Sequence, residues 1–207
     1  TVASGRVVVG SLVRITASGQ TARVNRIVTT DGNAPVALAG SAITLVLDTE
    51  VDASRGDILA SADAPLEMTD QFTAAVIWMH EDAGMVGRSY ELKLSNQWAG
   101  ASLTHIKHRL NVNTGAHESC QKLGLNDIAE CNVALSRPLV FDAYTTSHTL
   151  GGFILVDRFS QATVAAGLIA HNLRRAQNVH RQALSIARQD RERLNGHKGK
   201  VIWFTGL

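Results

Sequence analysis

The residues most suggestive of chemistry stand at the C-terminal end of the printed sequence. An apolar run from Val201 to Phe204 is followed by Thr205, Gly206 and Leu207, the order in which a β-strand enters a phosphate-binding loop. In a P-loop, the motif G-x-x-x-x-G-K-[ST] directs backbone N–H groups and a lysine ammonium onto phosphate oxygens. Gly206 is therefore a candidate first glycine of a P-loop whose other residues would follow Leu207. An ordinary C-terminal strand is the alternative interpretation.

Other polar residues are poorly spaced for chemistry. His105, His108 and His117 could be imagined as metal ligands, but strand positions three apart point to opposite faces, so His105 and His108 are not expected to share an ion. No Ser-His-Asp, Cys-His or paired-carboxylate spacing is evident, and we interpret Asp142 and Asp157 as turn or salt-bridge residues. We predict no catalytic residue and no metal site.

Two further motifs have simple structural interpretations. Arg55, Gly56 and Asp57 spell RGD, which we interpret as a turn in which Gly56 supplies the conformation rather than as an adhesion site. Cys120 and Cys131 lack CxxC spacing, which argues against a zinc ribbon or a disulfide scaffold. Cys131 alternates with apolar neighbours in CNVAL, so we expect a buried thiol.

The net charge of +2 is unevenly distributed. Residues 171–207 have eight basic and two acidic side chains (net +6), whereas residues 1–170 have twelve basic and sixteen acidic ones (net −4). Nucleic-acid-binding proteins usually have a clustered basic face, which residues 1–170 lack. We interpret the basic segment 171–207 as a solvated helix and linker, so we expect no nucleic-acid partner. No apolar run approaches the ~18 residues of a membrane span, and no secretory signal follows Thr1. We therefore expect a cytoplasmic protein with no membrane contact.

The first 170 residues have the pattern of a mainly β protein, with short apolar segments of period two between turns rich in Gly, Asp, Asn and Ser. A break near Pro65 predicts two domains, residues 1–64 and 66–168. The predicted strands are VVVG, SLVRIT, ARVNRIV, SAITLVLD and GDILA before the break, and QFTAAVIWMH, SYELKLS, ASLTHIKHRLNV, CNVALSRPLVFDAY and GGFILVDR after it. SAITLVLD is apolar on both faces, which predicts a strand covered on both sides.

The pattern changes after residue 168. From Ile169 apolar residues recur at helical spacing and arginines occupy the other face, with Ser185 as a candidate N-cap for a shorter helix within this stretch. We assign residues 169–207 to a helical linker and one further strand.

Taken in order, these segments resemble the second and third domains of elongation-factor-like GTPases, two β-barrels that follow a nucleotide-binding domain. The resemblance is carried by ASGRVVVGSLVRITASGQTARVNRIVT, AGSAITLVLDTEVDASRGDILA and TVAAG. TTDGN, SRGDILA, AAVIWM, FDAY and GGFILVDR are similar to the large subunit of sulfate adenylyltransferases over residues 1 to about 168. NVHRQALSIARQDRERLNGHKGKVIWFTGL resembles the N-terminal lead-in of adenylylsulfate kinases.

The resemblance implies a fragment of a bifunctional sulfate-activation enzyme. Its GTPase domain would use GTP while a separate small catalytic subunit makes adenylylsulfate and diphosphate from ATP and sulfate, and a fused α/β kinase would phosphorylate the 3′ position. GTP, ATP and Mg would be cofactors of the parent protein, with none bound to the fragment. The partners would be the small subunit and the missing GTPase and kinase domains. The first barrel would lack its opening strands, leaving an unpaired sheet edge.

Two other functions remain open at this point. One is a translation-factor-like barrel module that binds RNA or protein, against which the −4 charge of residues 1–170 counts, because RNA binding relies on phosphate neutralisation. The other is an interaction module without an enzymatic parent. The strand that enters Thr205 and Gly206 argues against this alternative.

Overall fold

A computed structural model describes residues 1–64, 66 and 68–173 of the chain. Thr1–Arg174 form one compact unit, and its described part contains two modules of antiparallel strands. Residues 1–64 form β1 (Arg6–Val8), β2 (Leu12–Ile15), β3 (Thr21–Thr29), β4 (Gly32–Ala34), β5 (Val36–Leu38), β6 (Thr44–Leu47) and β7 (Leu59–Ser61). The second module has β8 (Met68–Trp78), β9 (Gly84–Met85), β10 (Ser89–Leu94), β11 (Gln97–Leu110), β12 (His117–Glu118), β13 (Lys122–Leu123), β14 (Ile128–Val140), α1 (His148–Gly151), β15 (Gly152–Val156) and β16 (Thr163–Asn172).

The first module is built around the long strand β3. The sheet order is β4-β3-β2-β7, with β6 also paired to β3, and β1 and β5 form a separate two-stranded ribbon. The turn that follows β1 is held to β3 by a 2.7 Å hydrogen bond from the Gly10 amide to the Val24 carbonyl. Ala37 of the ribbon is buried with Val13, Val24 and Ile27, so the ribbon folds over the sheet and closes a small apolar core.

The second module is a closed six-stranded barrel. The order β10-β15-β16-β8-β14-β11 returns to its start because β11 also pairs with β10. Strand β12 adds to the far end of β11, and β9 and β13 form a separate ribbon. Pro138 lies within β14 where the register with β8 shifts between Ala134 and Leu139, which is the expected place for a residue without an N–H to donate to the ladder.

The barrel interior follows from alternation along each strand. In β10, Tyr90, Leu92 and Leu94 are buried while the residues between them face outward, as the sequence predicts. Phe72 makes edge contacts with Phe141 and Phe153 at centroid distances of 5.0 and 5.3 Å. Burying each such side chain is worth about 1.5–3 kcal/mol, so this interior provides most of the stability of the second module.

The modules touch each other around Ile58 and Gly56. Ile58 of the first module packs against the core of the second, together with Leu66 from the connecting segment. Gly56 lies against the turn between β10 and β11, where a Cβ atom would be 3.3 Å from the Asn96 carbonyl oxygen.

Each predicted segment contains an observed strand, although β7 begins only at Leu59 and β14 ends at Val140. The short strands β4, β5, β9, β12 and β13 have no counterpart among the predicted strands. Two further predictions need correction. Strand β16 continues to Asn172, and Ile169 is buried and pairs with Ala74 of β8. The helical interpretation is therefore wrong for residues 169–172, because Ile169 fills a barrel position, and the C-terminal segment begins beyond the boundary placed at 168. Strand β6 is only half-covered, with no fully buried residue. Pro65 and the candidate P-loop and linker residues from 174 onward lie outside the described residues.

Candidate functional site

The described residues contain no group of three His, Cys, Asp or Glu side chains placed to hold a metal ion. The His108 and His117 rings stack at a centroid distance of 3.8 Å, because β11 and β12 pair Leu110 with His117. His108 also lies 4.0 Å from the Glu130 carboxylate. These two rings pack on each other, while His105 is exposed.

Asp157 has the structural role expected from the sequence. Its carboxylate accepts hydrogen bonds from the backbone N–H groups of Ser160 and Phe159 at 2.9 and 3.0 Å, and from the Arg88 guanidinium at 2.9 Å. The two backbone donors, with smaller contributions from the Ser160 hydroxyl and Arg88, lower the pKa of Asp157 to about 2. Such a carboxylate is a weak base at neutral pH and ties the β15–β16 turn to the barrel wall.

The RGD tripeptide forms a turn. Gly56 has a φ of +101°, a conformation that favours glycine. The Asp57 carboxylate accepts a 2.7 Å hydrogen bond from the Ser54 amide, and the Asp57 amide returns a 3.0 Å bond to the Ser54 carbonyl. The sequence interpretation is confirmed, and the turn faces Asn96 of the second module.

Neither cysteine is disulfide-bonded. Cys131 is fully buried, and burial raises the pKa of its thiol to about 12. Cys120 is half-buried, and partial burial also raises the pKa of its thiol. Because the thiolate is the reactive form, neither residue has the environment of a nucleophile.

A wide groove of about 1170 Å³ lies beside β11 on the outside of the second barrel. One wall is β11, and the other is the β9–β13 ribbon with the chain that precedes β13. The groove is lined by Met85, Val86, His105, Ile106, Lys107, Arg109, Ser119, Cys120, Gln121, Lys122, Gly124 and Asp127. It was not anticipated from the sequence, although GMVG places two apolar residues between glycines in a turn, which is a recognisable signal of exposed apolar surface.

An ion-pair network includes two residues that line this groove, Arg109 and Asp127. The Arg109 guanidinium lies 2.7 Å from the Glu118 carboxylate and 3.5 Å from that of Asp127. The Asn111 amide donates to Glu118 at 2.7 Å, and this hydrogen bond, followed by that of Arg109, lowers the pKa of Glu118. Asp127 also accepts a 2.7 Å hydrogen bond from the Gly124 amide. These partners hold Arg109 in place as part of the wall.

Among the residues that the structure describes, nucleophiles, bases and phosphate-binding turns are not assembled into a catalytic arrangement. The candidate first P-loop glycine, Gly206, lies outside them. No described helix is long and apolar enough to cross a membrane.

Comparison with known proteins identifies the sequences and folds to which this chain is similar. Residues 71–170 match the family model described as GTP-eEF1A C-terminal domain-like. The bifunctional enzyme NodQ of Azospirillum brasilense is 46% identical over 207 residues, covering 100% of this chain and 33% of that protein. The bifunctional enzyme CysN/CysC of Xylella fastidiosa is 44% identical over the same length, again covering 33% of the relative. The chain is a homologue of these bifunctional enzymes.

A further relative extends the comparison. Sulfate adenylyltransferase subunit 1 of Laribacter hongkongensis is 42% identical over 170 residues, covering 82% of this chain and 35% of that protein. The crystal structure of sup35 complexed with GDP superposes with a TM-score of 0.75 at 19% identity, over 83% of this chain and 43% of that one, which shows a shared fold. The resemblance to elongation-factor-like barrels and to the sulfate adenylyltransferase large subunit is confirmed. The chain spans about one third of the length of the NodQ and CysN/CysC relatives.

Proposed function

We propose that this chain provides the two barrels and the linker of a bifunctional sulfate-activation enzyme. In the first reaction, a sulfate oxygen would attack the α-phosphorus of ATP and diphosphate would leave, with GTP hydrolysis driving the step. In the second, the 3′ hydroxyl of adenylylsulfate would attack the γ-phosphorus of another ATP and ADP would leave. The observation that carries the proposal is the 44–46% identity over the whole chain to proteins named as bifunctional enzymes.

The lengths of the matches support a second activity after the barrels. The bifunctional relatives match all 207 residues, whereas the relative named as subunit 1 matches 170, a difference of 37 (207 − 170). A subunit 1 match over residues 1–170 would leave the basic C-terminal segment, residues 171–207, as the part found only in the bifunctional relatives. We propose that this segment leads into a kinase in which Gly206 begins the P-loop.

The described residues do not fit a nucleotide or its Mg²⁺. Phosphate groups are usually held at a helix N-terminus by glycine-rich backbone and a lysine. Within residues 1–64, 66 and 68–173 the only helix is α1, which spans four residues and begins at His148. We therefore assign GTP, ATP and Mg²⁺ to other parts of the parent protein, and to the barrels the non-catalytic role of bracing the GTPase domain and contacting the small catalytic subunit.

The parent protein and its small subunit provide the test. With both purified together, diphosphate release is expected only when ATP, sulfate and GTP are present, and adding adenylylsulfate with ATP is expected to produce ADP. Omitting GTP should abolish diphosphate release and leave ADP production from adenylylsulfate and ATP unchanged. Absence of sulfate-dependent diphosphate release, together with retention of RNA, would instead favour the translation-factor-like alternative.

The reading frame past Leu207 tests the kinase half separately. A continuation that completes G-x-x-x-x-G-K-[ST] from Gly206 is expected, because the lysine and the helix N-terminus must act on the same phosphates. A continuation without that lysine would contradict the kinase assignment while leaving the first reaction untouched.

A further inference from the structure

Strand β11 has an unpaired backbone edge that faces the groove. On one side β11 pairs with β14 from Ala101 to Leu110. On the other side it pairs with β10 only up to Ser102, and with β12 only from Arg109. Between these points, the Leu103 carbonyl accepts a 2.8 Å hydrogen bond from the Gly87 amide. Residues 104–108 therefore have no strand partner on the groove side within the described part of the chain.

The groove has room for such a partner. It follows the open edge, with His105 and Lys107 on one wall and the β9–β13 ribbon on the other. Its volume of about 1170 Å³ exceeds the few hundred to 1,000 Å³ of typical ligand pockets. An extended chain adds to a sheet edge through backbone hydrogen bonds and gains specificity from pockets for alternate side chains.

Two irregularities in β11 restrict which segments can bind to its edge. The register between β11 and β14 shifts between Leu103 and His105 and again between Ile106 and His108. Bulges of this kind interrupt a regular ladder and protect sheet edges from indiscriminate pairing. A bound segment can therefore form only a short ladder, and it needs side-chain contacts as well. Met85 and Val86, exposed at 49% and 46%, supply apolar surface on the opposite wall.

The charged side chains that line the groove indicate which charge a bound segment should carry. The groove is lined by three basic residues, Lys107, Arg109 and Lys122, and by one acidic residue, Asp127. Lys107 is paired with Glu130 at 2.7 Å, and Arg109 with Glu118 and Asp127. The Lys122 ammonium has no hydrogen-bond or ion-pair partner among the described residues and is exposed. A carboxylate is the group that complements it.

We propose that the groove between β11 and the β9–β13 ribbon binds an extended segment of a partner protein in which apolar and acidic residues alternate. The segment pairs its backbone with residues 104–108, places apolar side chains on Met85 and Val86, and directs a carboxylate at Lys122. The inference rests on this geometry alone and is independent of the proposed function.

The test uses the 207-residue chain and a short end-blocked peptide of alternating valine and glutamate. Hydrogen exchange of the amides within residues 104–108 that point towards the groove is the readout. Strand addition protects these edge amides directly, whereas the alternate amides already face β14. Saturating peptide is expected to slow exchange of the groove-facing amides at least about tenfold, as new backbone hydrogen bonds form, while residues of the closed barrel such as Val76 are unaffected. A version N-methylated on its pairing edge should give no protection.

Charge variants distinguish binding in this groove from non-specific electrostatic attraction of the acidic peptide. Lys122→Glu is expected to weaken binding about fivefold at low salt, since an exposed ion pair is replaced by repulsion. Lys93→Glu is the matched control, because Lys93 is an exposed lysine on β10 above the Trp98 ring and does not line the groove; it should leave binding unchanged.

Three outcomes would overturn the proposal. The first is absence of peptide binding, which would show that the two bulges protect the edge. The second is equal binding of a valine–lysine peptide, which would remove the charge argument. The third is binding without protection of residues 104–108, which would place the peptide elsewhere.

Discussion

Gly84, the first residue of β9, lies directly against the indole ring of Trp78, and its replacement by alanine is expected to destabilise the second barrel. A Cβ atom on Gly84 would lie 2.7 Å from Cε3 and Cζ3 of the ring and 2.8 Å from Cη2. Carbon atoms pack best at about 3.5–4.0 Å. The substitution therefore requires about 1 Å of movement between β9 and the ring.

The ring has little freedom to make this movement. Trp78 is 1% exposed, its Nε1 donates a 2.8 Å hydrogen bond to the Asp82 carbonyl, and it makes a T-shaped contact with the Tyr90 ring at a centroid distance of 5.6 Å. Overpacking a well-filled core costs about 1–3 kcal/mol. At about 2–4 °C per kcal/mol for a chain of this size, the Tm should fall by about 2–12 °C.

Thermal and urea unfolding measure this loss, with Gly124→Ala as the matched control. A Cβ atom on Gly124 would meet only the Asp127 carboxylate, at an ordinary 3.5 Å, so the control should stay within about 0.5 kcal/mol of the unsubstituted chain. Gly84→Ala should cost less in a Trp78→Phe background, because the smaller ring leaves space. Equal stability of the two alanine variants, or the same cost in both backgrounds, would refute the argument.

Three other predictions concern nucleotide binding, pH dependence and thiols. The 207-residue chain alone should show no Mg²⁺-dependent GTP binding in a nucleotide titration, because phosphoryl transfer sites need positioned phosphates and metal; tight binding would contradict the domain assignment. Asp157 has a pKa of about 2 against a usual 3.8, so its contribution to stability is complete above about pH 4 and is lost as the pH falls towards 2. Asp157→Asn should flatten that part of a urea-unfolding pH profile, and an unchanged profile would argue against the turn geometry. Thiol titration should find two thiols per denatured, non-reduced chain, and in the native chain Cys120 should react before the buried Cys131; a count of zero would exclude this fold.

Much of the fold could be predicted because barrel strands carry local signals. Alternating burial makes Tyr90, Leu92 and Leu94 identifiable from the sequence, and the RGD turn follows from the conformational freedom of Gly56. Cys131 was correctly predicted to be buried from its apolar neighbours. These properties depend on a few adjacent residues, so they can be read without knowing what lies across the barrel.

The end of β16 shows where local signals mislead. The residues after 168 fit a helical spacing, yet Ile169 pairs with Ala74 across the barrel. A strand that fills a closed barrel keeps its extended form as long as its neighbour offers backbone partners and buried space, and that neighbour is about a hundred residues away in sequence.

The sequence by itself determined the mainly β class, the positions of the longer strands and the similarity to bifunctional enzymes, because all of these are properties of pattern and of residue identity. Only the tertiary structure decided that β10 and β11 close the barrel, that β11 leaves residues 104–108 unpaired, and that the β9–β13 ribbon forms the opposite wall of a groove. Pairing between distant strands sets which backbone N–H and C=O groups are hydrogen-bonded and which are left without a partner. No local sequence pattern specifies which groups are left unpaired.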